Sequence, residues 1–100
     1  MIKVALLVRL EAKPGKEQKV EELLQSGLAL VQDEPETTTW YAIRLGLSTF
    51  GIFDTFPNDH ARNAHLSGQL ATALMAKAGD LLAQPPLIEK VDILAVKSTN

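Results

Sequence analysis

Two histidines are the residues of this chain most able to move a proton, and both fall in the stretch FGIFDTFPNDHARNAHL, residues 50–66. An imidazole has an ordinary pKa of about 6.5, so His65 can act as a general base or as a hydrogen-bond donor at neutral pH. The same residue also fits a helix histidine bonded to the sheet. His60 stands five residues earlier, about 140° away around a helix that turns roughly 100° per residue. The two therefore make no ligand pair on one face, and His60 reads as a solvated surface residue. Arg44 and Asp54 fall on neighbouring predicted strands, where they either serve a site, by orienting a substrate, or form an ordinary cross-strand pair. Candidate substrate contacts are Phe53, Trp40 and Tyr41. Trp40 and Tyr41 point to opposite faces of a strand, so at most one of them lines a pocket. Residues 46–51 lack the glycine spacing of a phosphate loop, and no serine nucleophile sits beside a base at a useful spacing.

The elements that must carry these residues follow from periodicity. Residues 4–12 alternate as a strand, with Val4, Leu6, Val8 and Leu10 on one face. The turn Lys13-Pro14-Gly15-Lys16 leads into a helix whose apolar positions Val20, Leu23, Leu24, Gly27, Leu28 and Val31 are spaced to cover a sheet. Gly27 costs about 1 kcal/mol against alanine inside a helix, so it marks either a close packing point or a weak spot. Residues 32–38 are a polar loop with Pro35. Strands over 39–45 and 50–56 are joined so briefly that only an antiparallel hairpin is economical. Pro57 ends the second of them, and Asn58 and Asp59 cap a short helix through His65. Ser67 can cap a further helix bearing Leu70, Leu74, Ala78, Leu81 and Leu82, stopped by Pro85 and Pro86, before a final strand over 90–97. The resulting order, strand, helix, strand, strand, helix, strand, predicts an α+β fold. Its core is a four-stranded antiparallel sheet in a ferredoxin-like split βαβ sandwich, with helices on one face.

Composition narrows the function classes. The 100 residues suit a single domain, and 46% hydrophobic against 22% charged is generous for so small a chain. Part of that apolar surface is expected to meet a second copy, since both sheet faces keep large apolar side chains. A net charge of −2, without a basic cluster, argues against nucleic acid. The absence of cysteine removes disulfides, thiolate nucleophiles and Cys-based metal sites and suits the cytoplasm. Residues 1–10 are too short and too interrupted by Lys3 and Arg9 for a membrane span, and no small-residue cleavage site follows. They read as a strand rather than a signal peptide.

The segments RLEAKPGKEQKVEELL, TTWYAIRL and FGIFDTFPNDHARNAHLSG, with the closing apolar strand, resemble the antibiotic biosynthesis monooxygenase family over nearly the whole chain. The most specific part is the strand that ends shortly before the helix carrying His65. The resemblance implies one domain over residues 1–100, a dimeric α+β barrel and oxidation of a quinol, phenolic or polyketide-like substrate by dioxygen. It implies no metal and no organic cofactor. The heme-degrading branch carries an Asn on the first strand and a His on the last main helix, where this chain has Val8 and about Met75, so heme breakdown is disfavoured. The implied partners are a small aromatic substrate, dioxygen and a second copy of the chain. The alternative is a non-catalytic ligand-binding or structural dimer of the same fold.

Overall fold

The computed structural model describes residues 1–98. Four strands, β1 (Val4–Glu11), β2 (Thr39–Arg44), β3 (Thr49–Phe56) and β4 (Leu87–Asp92), form one antiparallel sheet in the order β2-β3-β1-β4. Three helices, α1 (Glu17–Val31), α2 (Asp59–Leu66) and α3 (Gln69–Leu81), connect them. This is the ferredoxin-like α+β arrangement that the order of elements predicts.

Side-chain alternation decides which residues meet the helices. Leu6, Val8 and Leu10 of β1 and Phe50, Ile52, Asp54 and Phe56 of β3 are buried, and cross-strand pairing puts these positions on the same face. Val20 and Leu24 of α1 and Leu74 and Leu81 of α3 close the core over Phe50 and Ile52. Leu6, Phe56 and Ala61 make a smaller cluster under α2. Gly27 is a close packing point: a Cβ there would lie 2.8 Å from Leu70 Cδ1 and 3.5 Å from the Trp40 ring. The opposite face carries Leu7, Ile43 and Phe53, all partly buried, and the exposed Tyr41 and Leu87. No helix of the described residues is long and apolar enough to cross a membrane.

Two boundaries differ from the sequence reading. Ser67 does not cap α3. It is the C-cap of α2, its hydroxyl donating back to the Ala64 carbonyl at 3.1 Å, and the extended Gly68 is the N-cap of α3. The last strand begins at Leu87, directly after Pro86, and ends at Asp92 rather than running over 90–97. Its length is set by its partner, since Leu87 pairs with Arg9 and Asp92 with Val4, where β1 begins. One further bond, Ile93 N–H to the Lys3 carbonyl, closes the ladder.

Candidate functional site

Asp54 sits near the end of β3 on the helix-facing side, so the core strand that buries Phe50, Ile52 and Phe56 also buries a carboxylate. Three residues beyond it the chain turns at Pro57. Asn58 then caps α2, its side-chain oxygen accepting from the Ala61 N–H at 2.8 Å. Arg62 pins this eight-residue helix to the sheet: its guanidinium donates to the carbonyls of Ala5 and Val91, both at 3.2 Å, and to the Asp59 carboxylate at 2.7 Å. One turn later the same helix face delivers His65 onto β3. His65 is buried, whereas His60 is exposed.

The imidazole is held between two carboxylates. Nε2 lies 2.7 Å from Oδ2 of Asp54, and Nδ1 lies 2.5 Å from Oε1 of Glu34, which comes from the loop after α1. The Thr37 hydroxyl also donates to Glu34 Oε1, at 2.8 Å. The Phe56 ring lies 5.3 Å from the imidazole and gives it an apolar wall. Burial alone would push the His65 pKa down, but Asp54 and Glu34 outweigh it and the imidazole ends above its ordinary value. Burial pushes the Asp54 carboxyl up, against the partial offset of His65. The arrangement favours an imidazolium flanked by two acids, a short chain along which protons can shift.

A cavity of about 320 Å³ opens on this chain of groups. Leu30, Pro35, Ala61 and Ala64 supply apolar wall, and Glu34, His65, Thr37 and Gln69 supply polar groups. Its size and mixed lining suit one small organic molecule. Among the described residues, no cluster of three or more His, Asp or Glu side chains is disposed to hold a metal ion.

The six candidate residues fall in four places. His65 and Asp54 are brought together. Arg44 shares the helix-facing side but stands opposite Phe50, four positions from Asp54 and so roughly 13 Å along the strand. Its guanidinium pairs instead with Glu21 and lies 4.6 Å over the Phe50 ring, so Arg44 and Asp54 make no cross-strand pair. Trp40 stands directly opposite Asp54 but packs into the core against Gly27. Tyr41 and Phe53 face away from His65 and line a second concavity of about 550 Å³ on the open side of the sheet, with Thr55, Ile93 and Val96. The residue missed by sequence reasoning is Glu34. It lies 31 positions before His65 in a loop where acidic residues are common, and only the fold brings the two into contact.

No protein-family model matches this sequence, and no curated protein does. Among solved structures, NE2512 of Nitrosomonas europaea, a protein of unknown function, is 53% identical over all of this chain and 97% of its own, with a TM-score of 0.97. The chain belongs to one family with NE2512. It also has the fold of the antibiotic biosynthesis monooxygenases. A candidate member from Caulobacter crescentus superimposes with a TM-score of 0.80 at 20% identity, covering 94% of this chain and 92% of that one. A second, from Nitrosomonas europaea, does so with a TM-score of 0.81 at 14% identity, covering 92% and 99%. The resemblance drawn from the sequence therefore stands at the level of the fold.

Proposed function

We propose that this protein is a monooxygenase that oxidises a hydrophobic phenol, quinol or polyketide-like compound with dioxygen, without a bound cofactor. The observation that carries the reading is the buried Asp54–His65–Glu34 chain opening on a cavity of small-molecule size. A phenol held there loses its proton to this chain of groups, and the electron-rich anion reduces dioxygen directly. One oxygen atom enters the product and the other leaves as water, with the substrate supplying both electrons and protons. The protein contributes orientation, exclusion of water and a place for the proton. Two copies pair through the open sheet face, and the cysteine-free chain works in the cytoplasm.

Oxygen uptake across a panel of quinols tests this, with His65→Gln and His60→Gln compared at a temperature where each is folded. General acid–base groups contribute about 10²- to 10⁴-fold, and a loss of that size is expected for His65→Gln alone. Activity should survive exhaustive chelation, and the purified protein should lack Soret and flavin absorbance. Equal activity in both variants, or a stoichiometric iron or flavin, overturns the reading. One observation favours a second reading, a non-catalytic ligand-binding dimer: both ring nitrogens of His65 are already engaged by carboxylates. A parent protein that binds phenols yet consumes no oxygen decides for it.

A further inference from the structure

We propose that Glu34 is the residue through which the His65 site exchanges a proton with its ligand, and that this ligand is a neutral hydroxyl compound rather than an anion. The oxidation that follows rests on the monooxygenase reading; the proton exchange does not. Neither ring nitrogen of His65 has a free position, so a ligand proton reaches the imidazole only by way of a carboxylate. Asp54 is sealed in the core with its side chain 1% exposed and is absent from the cavity wall. Glu34 lines the cavity and is the most open of the three, at 19% against 7% for His65.

Three further features fit that role. Glu34 is oriented from two sides, by the Thr37 hydroxyl and by His65 Nδ1, both on Oε1. Its second oxygen, Oε2, is buried without a hydrogen-bond partner among the described residues and lies 2.9 Å from where a Cβ on Gly68 would stand. Gly68 is the N-cap of the 13-residue helix α3, so the carboxylate rests near the positive end of a helix. Finally, among the described residues the charged groups around the cavity are Asp33, Glu34 and Glu36 from one loop and His65 from α2, with Asp54 of β3 behind it and no lysine or arginine in the wall. An anionic ligand meets repulsion there, whereas a neutral O–H meets an acceptor.

The step balances without an oxidant. The ligand O–H bond breaks, its proton forms an O–H bond with the Glu34 carboxylate, and the electron pair stays on the ligand oxygen. Protonated Glu34 leaves a neutral His65–Asp54 ion pair facing the new phenolate, so the charge at the site remains −1 throughout. Asp54 acts as a positioning residue by holding the imidazole.

4-Nitrophenol is a suitable probe because its phenolate absorbs visible light. Bound to the parent, it should hand its proton to Glu34 and show phenolate absorbance at a pH at least about one unit below that of the free probe, and Glu34→Gln should abolish the shift. 4-Hydroxybenzoate, already an anion, should bind at least tenfold more weakly than 4-nitrophenol. No binding of 4-nitrophenol, an unshifted midpoint in the parent, an equal shift in Glu34→Gln or equal affinity for 4-hydroxybenzoate each overturns the assignment. If Glu34→Gln does not fold, the parent midpoint and the two affinities still decide. A parent that shifts the probe but consumes no oxygen with any quinol leaves Glu34 in its role and removes the oxidation.

Discussion

The Nε2 atom of His65, in the last turn of α2, stands 2.7 Å from Oδ2 of Asp54, inside the layer that separates helix from sheet. A carboxylate so deeply buried is tolerable only with a charged or hydrogen-bonding partner, and His65 is that partner. Removing one member of a buried ion pair strands the other and costs about 3–5 kcal/mol. His65→Gln and Asp54→Ala should therefore both lower the thermal midpoint sharply in calorimetry. His60→Gln, at an exposed position, should stay within about 0.5 kcal/mol of the parent. A His65→Gln protein as stable as the parent would show that the ion pair carries little of the fold. The sequence leaves open whether His65 is a general base or a helix histidine bonded to the sheet; its burial between two carboxylates gives it a part in stability as well.

Stability should fall as pH rises above neutral. The His65 pKa is raised in the folded protein from an ordinary 6.5, so folding favours the protonated form. The resulting stabilisation is fully present below about pH 6.5 and is lost as pH climbs through the folded value. Asp54 is raised from 3.8, and its contribution likewise declines as pH rises from that value, so the two slopes share a sign. Thermal midpoints measured upward from about pH 6.5 should decline in the parent, and the part of the decline assigned to His65 should vanish in His65→Gln. A parent midpoint that rises over the same interval would reverse the assigned direction of the His65 shift.

How far the site could be read in advance depends on the distance in sequence over which each feature is encoded. The turn at Pro57, the Asn58 cap and the approach of His65 to β3 are local, written within about one strand and one helix, and these were legible. Alternation along β2 and β3 also separates Trp40 from Tyr41 correctly. Register is different. Opposing Trp40 to Asp54 and Arg44 to Phe50 requires knowing which residues of the hairpin pair, and the short join does not determine that. Glu34 was beyond reach for a related reason: a loop acid gains its meaning from the imidazole that the α2 docking brings beside it, 31 residues away.

Gly68 couples backbone to chemistry, and a single methyl group can test it. A Cβ at this position would lie 2.9 Å from Glu34 Oε2 and 3.3 Å from the His65 carbonyl. The carboxylate is the movable neighbour, so Gly68→Ala should displace Glu34 from His65 while Asp54 keeps its hold on the other nitrogen. Losing one acidic partner should lower the pKa of His65, read from its ring protons by NMR titration, with a stability cost of about 1–3 kcal/mol from overpacking. Turnover should fall along with the pKa. An unchanged His65 titration in a folded Gly68→Ala protein would mean that the loop gives way without disturbing the pair.

The open sheet face supplies the remaining prediction. Tyr41 and Leu87 are 56% and 52% exposed there, beside the partly buried Leu7, Ile43 and Phe53. A four-stranded sheet with helices on one side leaves such a surface wet unless a second molecule covers it, and soluble monomers seldom keep large apolar patches uncovered. A stable pairing buries about 1,200–2,000 Å² in total. Sedimentation at micromolar concentration should therefore give twice the chain mass of 10.9 kDa. Tyr41→Lys combined with Leu87→Lys, two exposed positions whose change leaves the helix-side core intact, should yield the single-chain mass with the fold retained by circular dichroism. A parent that sediments only as a 10.9 kDa species would exclude pairing through this face. A dimer that survives both lysines would place the contact elsewhere on the molecule.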